Sequence, residues 1–376
     1  MTCYLCKSTR YAEILNKEET YIWTNTNDDT SIKRKNKCIL YQCKDCGHIY
    51  QPIDSDLRKV LREIYLSKQA QLSTPMGMGN WGIERAKRFF DVFDRVVDLN
   101  KYKSAVEIGC ADGYLLKYLK SLGFNKLVGI EPSITKGKEK DGVLFIKAFA
   151  DEKLKLNQKF GLIFSAGVFE HIEKIHRVIR FCRSNLREDG TLFFSVPNAK
   201  RQLEDGDPDL FTHEHIHYYT PSTLEYLLSK NGFSINSIIS TKDSINVSAQ
   251  ISNGKCERLR VVLYDDYQQK LEKNLVRIKK LLENKANIVH GANNALNNIL
   301  NWLKKDYDFD LVDNDETKVG KTYFNKSIKS MKDIDLTNYK TVIIIPTSFY
   351  EEIRIDYIKK GFQGKFVSVT PLSLQN

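Results

Sequence analysis

A chain of 376 residues is too long for one ordinary domain and too short for four, so two large units and a small one are expected. With 41% hydrophobic and 28% charged residues the composition is that of a globular protein, and the sequence has no run of 18 apolar residues to span a bilayer. The net charge of +11 is compatible with an anionic partner but does not name one, since much of the excess is lysine on helical faces such as Lys270, Lys273, Lys279 and Lys280. The opening residues, MTCYLCKS, lack the apolar core of a secretory signal, so a cytoplasmic location is expected.

Cys3 and Cys6 are followed, after 36 residues, by Cys43 and Cys46, two C-x2-C pairs in a reducing compartment. Thiolates at that spacing supply the two arms of a tetrahedral structural Zn2+ site, each arm a tight turn, and Gly47 suits the second. The long gap requires an inserted loop, with the polar segment 25–36 as its candidate; Cys38 and His48 are the competing ligands, and a redox dithiol or plain core cysteines are the other readings. Four protein ligands leave no open position, so the metal has no catalytic role. From Asp54 to Leu99 apolar residues recur at helical spacing, interrupted by the turn-rich stretch 67–82 with Trp81, which reads as a lid or a connector.

Val106 to Leu116, VEIGCADGYLL, reads strand, tight turn, helix, and Gly109, Ala111 and Gly113 keep side-chain bulk off the turn. A second strand, LVGI, ends on Glu131, 18 residues past Gly113, where a carboxylate can take both ribose hydroxyls of an adenosine ligand. Leu116 stands where a dinucleotide site would have its third glycine. With Glu107 on the first strand, EIGCADG resembles motif I of class I S-adenosylmethionine (SAM) methyltransferases. VLFIKAF is a third strand, followed by Ala150 and Asp151 at the usual place of such a cofactor's adenine. GLIFSAGVFEHI is a fourth, with Ala166 and Gly167 at its carboxyl end and His171 after it, and GTLFFSVP is a fifth. FTHEHIHYYT, Phe211 to Thr220, holds three of the seven histidines. Paired Glu214 and His215 suit proton transfer; an extended segment would instead place His213, His215 and His217 on one face, as for a metal, and a surface loop is the third reading. A leucine-rich helix and one more strand then complete an antiparallel edge.

From Asn253 the pattern restarts with a charged helix, Tyr264 to Lys285, then ANIVHGANNALNNILNWL as strand, glycine turn and helix. FDLVDND, TVIIIP and KFVSVTP are further strands, and the turn His290 to Asn294 could cradle a nucleotide phosphate. Together the double C-x2-C with CGH, the SAM turn followed by HEH, and the terminal VDNDETKVGK and IIIPTSFYEEI resemble the zinc-containing sugar C-methyltransferases that act on nucleotide-linked ketosugars. The resemblance implies an α/β chain: a zinc-binding arm over 1–53, a class I Rossmann-like SAM domain over 54–252 and a smaller C-terminal α/β domain over 253–376 that binds the nucleotide sugar. It also implies carbon methylation beside a keto group through an enolate. The family string is close to YHEH, whose tyrosine, glutamate and second histidine become Thr212, Glu214 and His215 by position, and His171 matches the histidine after the fourth strand. Two departures stand out. Thr212 has no ionisable phenol, and DSINVS replaces the family's HGGS. An O- or N-methyltransferase, needing a single base, is therefore the second reading, and an RNA methyltransferase or zinc-containing nucleic-acid binder the third. The expected partner is a nucleotide sugar, with a monomer favoured and neither membrane nor nucleic acid expected.

Overall fold

A computed structural model describes residues 1–22, 34–66, 76–77, 79–253 and 261–370. The chain forms two compact units, one made of Met1–Tyr11, Gln42–Asn198 and Ile216–Leu263, the other of Ala12–Tyr41, Ala199–His215 and Tyr264–Asn376. This division does not run at residues 53 and 252: most of the N-terminal arm and the segment before His215 are counted with the C-terminal part. No helix among the described residues is long and apolar enough to cross a membrane.

In chain order, β1 (Tyr11–Tyr21) and β2 (Lys35–Cys43) are the long strands of the arm, and the short β3 (Ile49–Tyr50) follows the second cysteine pair. The expected helical stretch is α1 (Ser55–Leu66) and α2 (Gly79–Val96). Helix α1 buries Leu57, Val60, Leu61 and Ile64, three or four residues apart, which is the single apolar stripe of a surface helix. Most of the candidate loop 25–36 and of the candidate lid 67–82 lies outside the described residues.

The first unit is built on β4 (Ser104–Ile108), α3 (Tyr114–Ser121), β5 (Lys126–Ile130), β6 (Lys138–Lys140), β7 (Val143–Ile146), β8 (Phe160–Ala166), α4 (Ile175–Asn185) and β9 (Leu186–Pro197). After α5 (Ala199–Asp205), which belongs to the second unit, come β10 (His217–Tyr218), α6 (Pro221–Lys230), β11 (Phe233–Ser240) and β12 (Ser244–Ile251). The sheet runs β11-β12-β9-β8-β4-β5-β7-β6. Strand β4 pairs parallel with β5 on one side and β8 on the other, so the winding reverses there and opens a crevice at the carboxyl ends of the strands. Strand β12 is antiparallel to both β9 and β11, the expected antiparallel edge. Helix α2 closes one face through Phe93, whose ring centroid is 4.7 Å from Phe193 and 5.6 Å from Phe164. The hairpin β6–β7 was not anticipated, although Asp141 and Gly142, both left-handed, are the residues a two-residue hairpin turn demands.

The second unit has its own sheet. Its elements are α7 (Tyr267–Leu282), β13 (Asn287–His290), α8 (Asn294–Leu303), β14 (Asp310–Val312), β15 (Thr322–Tyr323), β16 (Lys326–Lys329), β17 (Thr341–Ile344), α9 (Tyr350–Lys359) and β18 (Lys365–Ser368). The strands run β15-β16-β14-β13-β17-β18, with β13 parallel to β14 and β17. Trp302 on α8 donates its indole N–H to the Glu18 carbonyl at 3.3 Å, which holds part of the arm within this unit.

Candidate active site

Strand β4 ends at Ile108 and the chain turns at once through left-handed Gly109 (φ +76°), Ala111 (φ +45°) and Gly113 (φ +78°). Glycine is required at the outer two. A Cβ on Gly109 would lie 2.4 Å from Val168 Cγ2, and one on Gly113 would lie 2.7 Å from Phe145 Cζ. The Gly109 N–H donates to the Ile130 carbonyl at 2.8 Å, tying the turn to the end of β5. Glu131 reaches back to the same turn: one oxygen accepts from the Ala111 N–H at 3.2 Å, the other from the Ser133 N–H and hydroxyl at 2.9 and 2.7 Å. Gly113 is the N-cap of α3, so no side chain competes for the first N–H groups of that helix. An acid fixed beside a bare backbone turn fits an adenosine and its ribose hydroxyls.

The structure thus brings Glu107, Gly109, Ala111, Gly113 and Glu131 together, while Ala150 and Asp151 follow β7 and Ala166 ends β8 on the same edge of the sheet. Glu107 is 3% exposed, and burial, followed by the charges of Asp112 and Glu131, pushes its carboxyl well above the usual range. One of its oxygens has no hydrogen-bond partner among the described residues, and burial favours the protonated form.

His171 lies in the 3-10 turn Phe169–His171 after β8 rather than on α4, which starts at Ile175. Its Nδ1 is 2.9 Å from the Tyr65 hydroxyl and its Nε2 3.7 Å from Glu170 Oε1. Burial raises the Glu170 carboxyl to about 8, opposed by the nearby Arg85 charge. Tyr65 escaped the sequence reading; the available signal was a phenol in the last turn of an amphipathic helix. A cavity of about 210 Å³ within this unit is lined by Tyr65, His171, Phe149, Glu173 and the guanidinium-bearing Arg58 and Arg62, among others.

Thr212, Glu214 and His215 sit in a turn, with the His215 N–H donating to the Thr212 carbonyl at 3.2 Å. The extended reading of this segment is corrected: only His217 and Tyr218 form a strand. His213 is buried against the Thr20 hydroxyl at 3.1 Å, and His217 pairs with His48, so the three histidines share no face. Burial raises the Glu214 carboxyl to about 8, a proton-holding group at neutral pH, although part of its surface remains exposed.

Residues 81–238 match the family model described as a methyltransferase domain. That stretch, less than half of the chain, resembles a methyltransferase domain. The chain is 25% identical over 186 residues to a tRNA U34 carboxymethyltransferase of Campylobacter hominis, covering 46% of this chain and 63% of that protein. It is 24% identical over 160 residues to the C-methyltransferase NovU of Streptomyces niveus, covering 41% of this chain and 38% of that protein. The chain therefore spans less than two thirds of the length of either relative. A solved SAM-dependent methyltransferase from Mesorhizobium loti is 17% identical, with a TM-score of 0.36 over 43% of this chain and 96% of that one.

In the N-terminal arm, the ligand atoms of Cys3, Cys6, Cys43 and Cys46 all lie within 4.8 Å of one another. Cys3 and Cys46 sulfurs are 3.6 Å apart, and those of Cys6 and Cys43 3.4 Å. Four thiolates around one tetrahedral ion at ~2.3 Å would stand ~3.8 Å apart, so the donor set and spacing fit zinc. Both knuckles have the same geometry: Lys7 donates its N–H to the Cys3 carbonyl at 3.0 Å and Gly47 to the Cys43 carbonyl at 2.9 Å, the two residues left-handed at φ +69° and +72°. A hydrogen bond from Cys3 holds the Cys43 thiol far below its ordinary value, whereas the same neighbour pushes Cys46 up. Cys38 and His48 are not members of the cluster; Cys38 is buried against the Thr20 hydroxyl at 3.3 Å.

The second unit repeats the Gly109–Gly113 turn on a smaller scale. The Gly291 N–H donates to the Val312 carbonyl at 2.8 Å, as Gly109 does to Ile130, and the Ala292 N–H donates to the Asp313 carboxylate at 2.9 Å. Here the acid carries a partner. Lys318 lies 3.2 Å from Asp313, and Asn293 caps α8 through the Leu296 N–H at 3.1 Å.

Proposed function

We propose that this methyltransferase transfers a methyl group to carbon on a nucleotide-linked sugar, beside a keto group, acting as a monomer. The observation that carries the donor half is the turn Gly109–Gly113 held by Glu131, a bare backbone surface with a fixed acid. When bound there, SAM supplies the electrophilic methyl. The acceptor half rests on Glu214 and His215. A keto group acidifies the neighbouring C–H, His215 takes that proton with Glu214 fixing its ring, and the enolate carbon then forms the new C–C bond as the methyl–sulfur bond breaks. Thr212 cannot supply a phenol; within the first unit Tyr65, bonded to His171 at 2.9 Å, carries one. The name of the NovU relative also favours carbon as the acceptor. Cys3, Cys6, Cys43 and Cys46 hold a structural Zn2+, and the turn His290 to Asn294 assists in holding the substrate's nucleotide.

A second reading, methylation of RNA, draws on the Campylobacter relative's name and on the charge of +11. Oxygen or nitrogen methylation of a sugar is the third, favoured by Thr212. One experiment separates them: label from methyl-labelled SAM followed by mass spectrometry over keto nucleotide sugars, non-keto nucleotide sugars and tRNA. Acid-stable label on the sugar carbon is expected, and label confined to RNA or to an acid-labile ether would overturn the proposal.

A further inference from the structure

The turn Phe169–His171 is a single turn of helical hydrogen bonding, in which the His171 N–H donates to the Val168 carbonyl at 3.0 Å and the Ile172 N–H to the Phe169 carbonyl at 3.4 Å, the latter also accepting from the Tyr219 hydroxyl at 3.4 Å. The Glu170 and Ile172 carbonyls are held from outside. The Glu170 carbonyl accepts from the Ile216 N–H at 2.8 Å, and the Ile172 carbonyl accepts from His217 Nε2 at 2.9 Å. That second bond fixes the ring protons along a line. A carbonyl only accepts, so in a neutral His217 the proton is on Nε2 and Nδ1 is a lone pair. Nδ1 lies 2.9 Å from His48 Nε2, which must therefore donate, leaving His48 Nδ1 bare. That atom is indeed buried with no hydrogen-bond partner among the described residues. Both rings are buried, at 0% and 1% exposure, and the His48 carbonyl accepts from the Cys43 N–H at 2.8 Å. His48 stacks on Tyr50 at 16° between planes and His217 on Tyr219 at 22°, which fixes the ring orientations. An apolar pair would fill the same space without stranding an acceptor, but would leave the Ile172 carbonyl without its donor.

We infer that His48 and His217 are positioning residues for methyl transfer: a two-ring strut from the cysteine arm that sets the turn bearing Glu170 and His171. The inference rests on the reading that His171 serves the chemistry.

The test uses the full-length, zinc-loaded chain, with hydrogen exchange by mass spectrometry as the deciding readout. His217→Leu should speed exchange at residues 169–173 at least tenfold while zinc content and SAM affinity stay within twofold of wild type. Turnover of whichever keto nucleotide sugar yields product should fall at least tenfold in kcat with little change in KM. His217→Gln, whose amide can donate to the carbonyl and accept from His48, should restore both. If His217→Leu does not fold, His48→Phe keeps the stacked ring, removes the donor and should move exchange in the same direction. Unchanged exchange at 169–173 overturns the strut. His171→Asn separates the two ideas: normal turnover in that variant removes the role of His171, whereas an inactive His171→Asn beside a fully active His217→Leu overturns the strut alone.

Discussion

Gly109→Ala tests whether the cofactor turn is shaped by two separable constraints. The first is the backbone: at φ +76° an L-residue costs about 1–2 kcal/mol. The second is volume, because the new Cβ would sit 2.4 Å from Val168 Cγ2 and 3.2 Å from Cγ1, an overlap costing about 1–3 kcal/mol in a packed site. The single variant should therefore lose about 2–5 kcal/mol. Val168→Ala removes both methyls and leaves only Val168 Cβ at 3.4 Å, an ordinary contact, so the double variant should recover the overlap but not the backbone cost. The coupling in the double-mutant cycle should be about 1–3 kcal/mol in favour of the pair. Urea titration read by hydrogen exchange at Ser104–Ile108 reports this unit and not the C-terminal one. A double variant no more stable than Gly109→Ala would show that Val168 does not define the turn.

Glu131→Ala strands the Ala111 and Ser133 donors and should weaken SAM by about 10–100-fold in calorimetry, roughly 1.4–3 kcal/mol; unchanged affinity removes Glu131 from the cofactor site. Glu170 has a folded pKa raised to about 8, so between its unfolded value and 8 the folded state binds more protons and stability falls as pH rises, by up to about 1.4 kcal/mol per pH unit. Glu170→Gln should flatten that decline between pH 5 and 8 in urea melts, and an unchanged slope would mean the group titrates normally. Cys43→Ser should reduce zinc from about one ion per chain to almost none in elemental analysis, since a three-thiolate remnant loses a ligand's share of the binding energy; retained zinc would exclude this ligand set. Lys7→Gly, at φ +69°, should relieve about 1 kcal/mol of left-handed strain and slow zinc loss to a chelator, and faster loss would contradict the matched-knuckle geometry.

What could be read without coordinates was local. Alternating apolar runs and helical stripes announced the βα succession, the glycines of the 109–113 turn announced a left-handed bend, and each C-x2-C pair announced a knuckle, because backbone sterics and side-chain periodicity act over a few residues. The Asp141–Gly142 hairpin was equally local and was simply passed over. The alternation of three histidines left an extended reading open beside the acid/base one, whereas the turn through Thr212 and His215 sends the His213 ring to Thr20 and the His217 ring to His48. Tertiary packing alone decided the rest. It brought Cys3 to Cys46, Tyr65 to His171 and His48 to His217 across 43, 106 and 169 residues of chain. It also made Glu170 and Glu214 proton-holding acids, since a carboxyl's pKa depends on the water removed around it by segments distant in sequence.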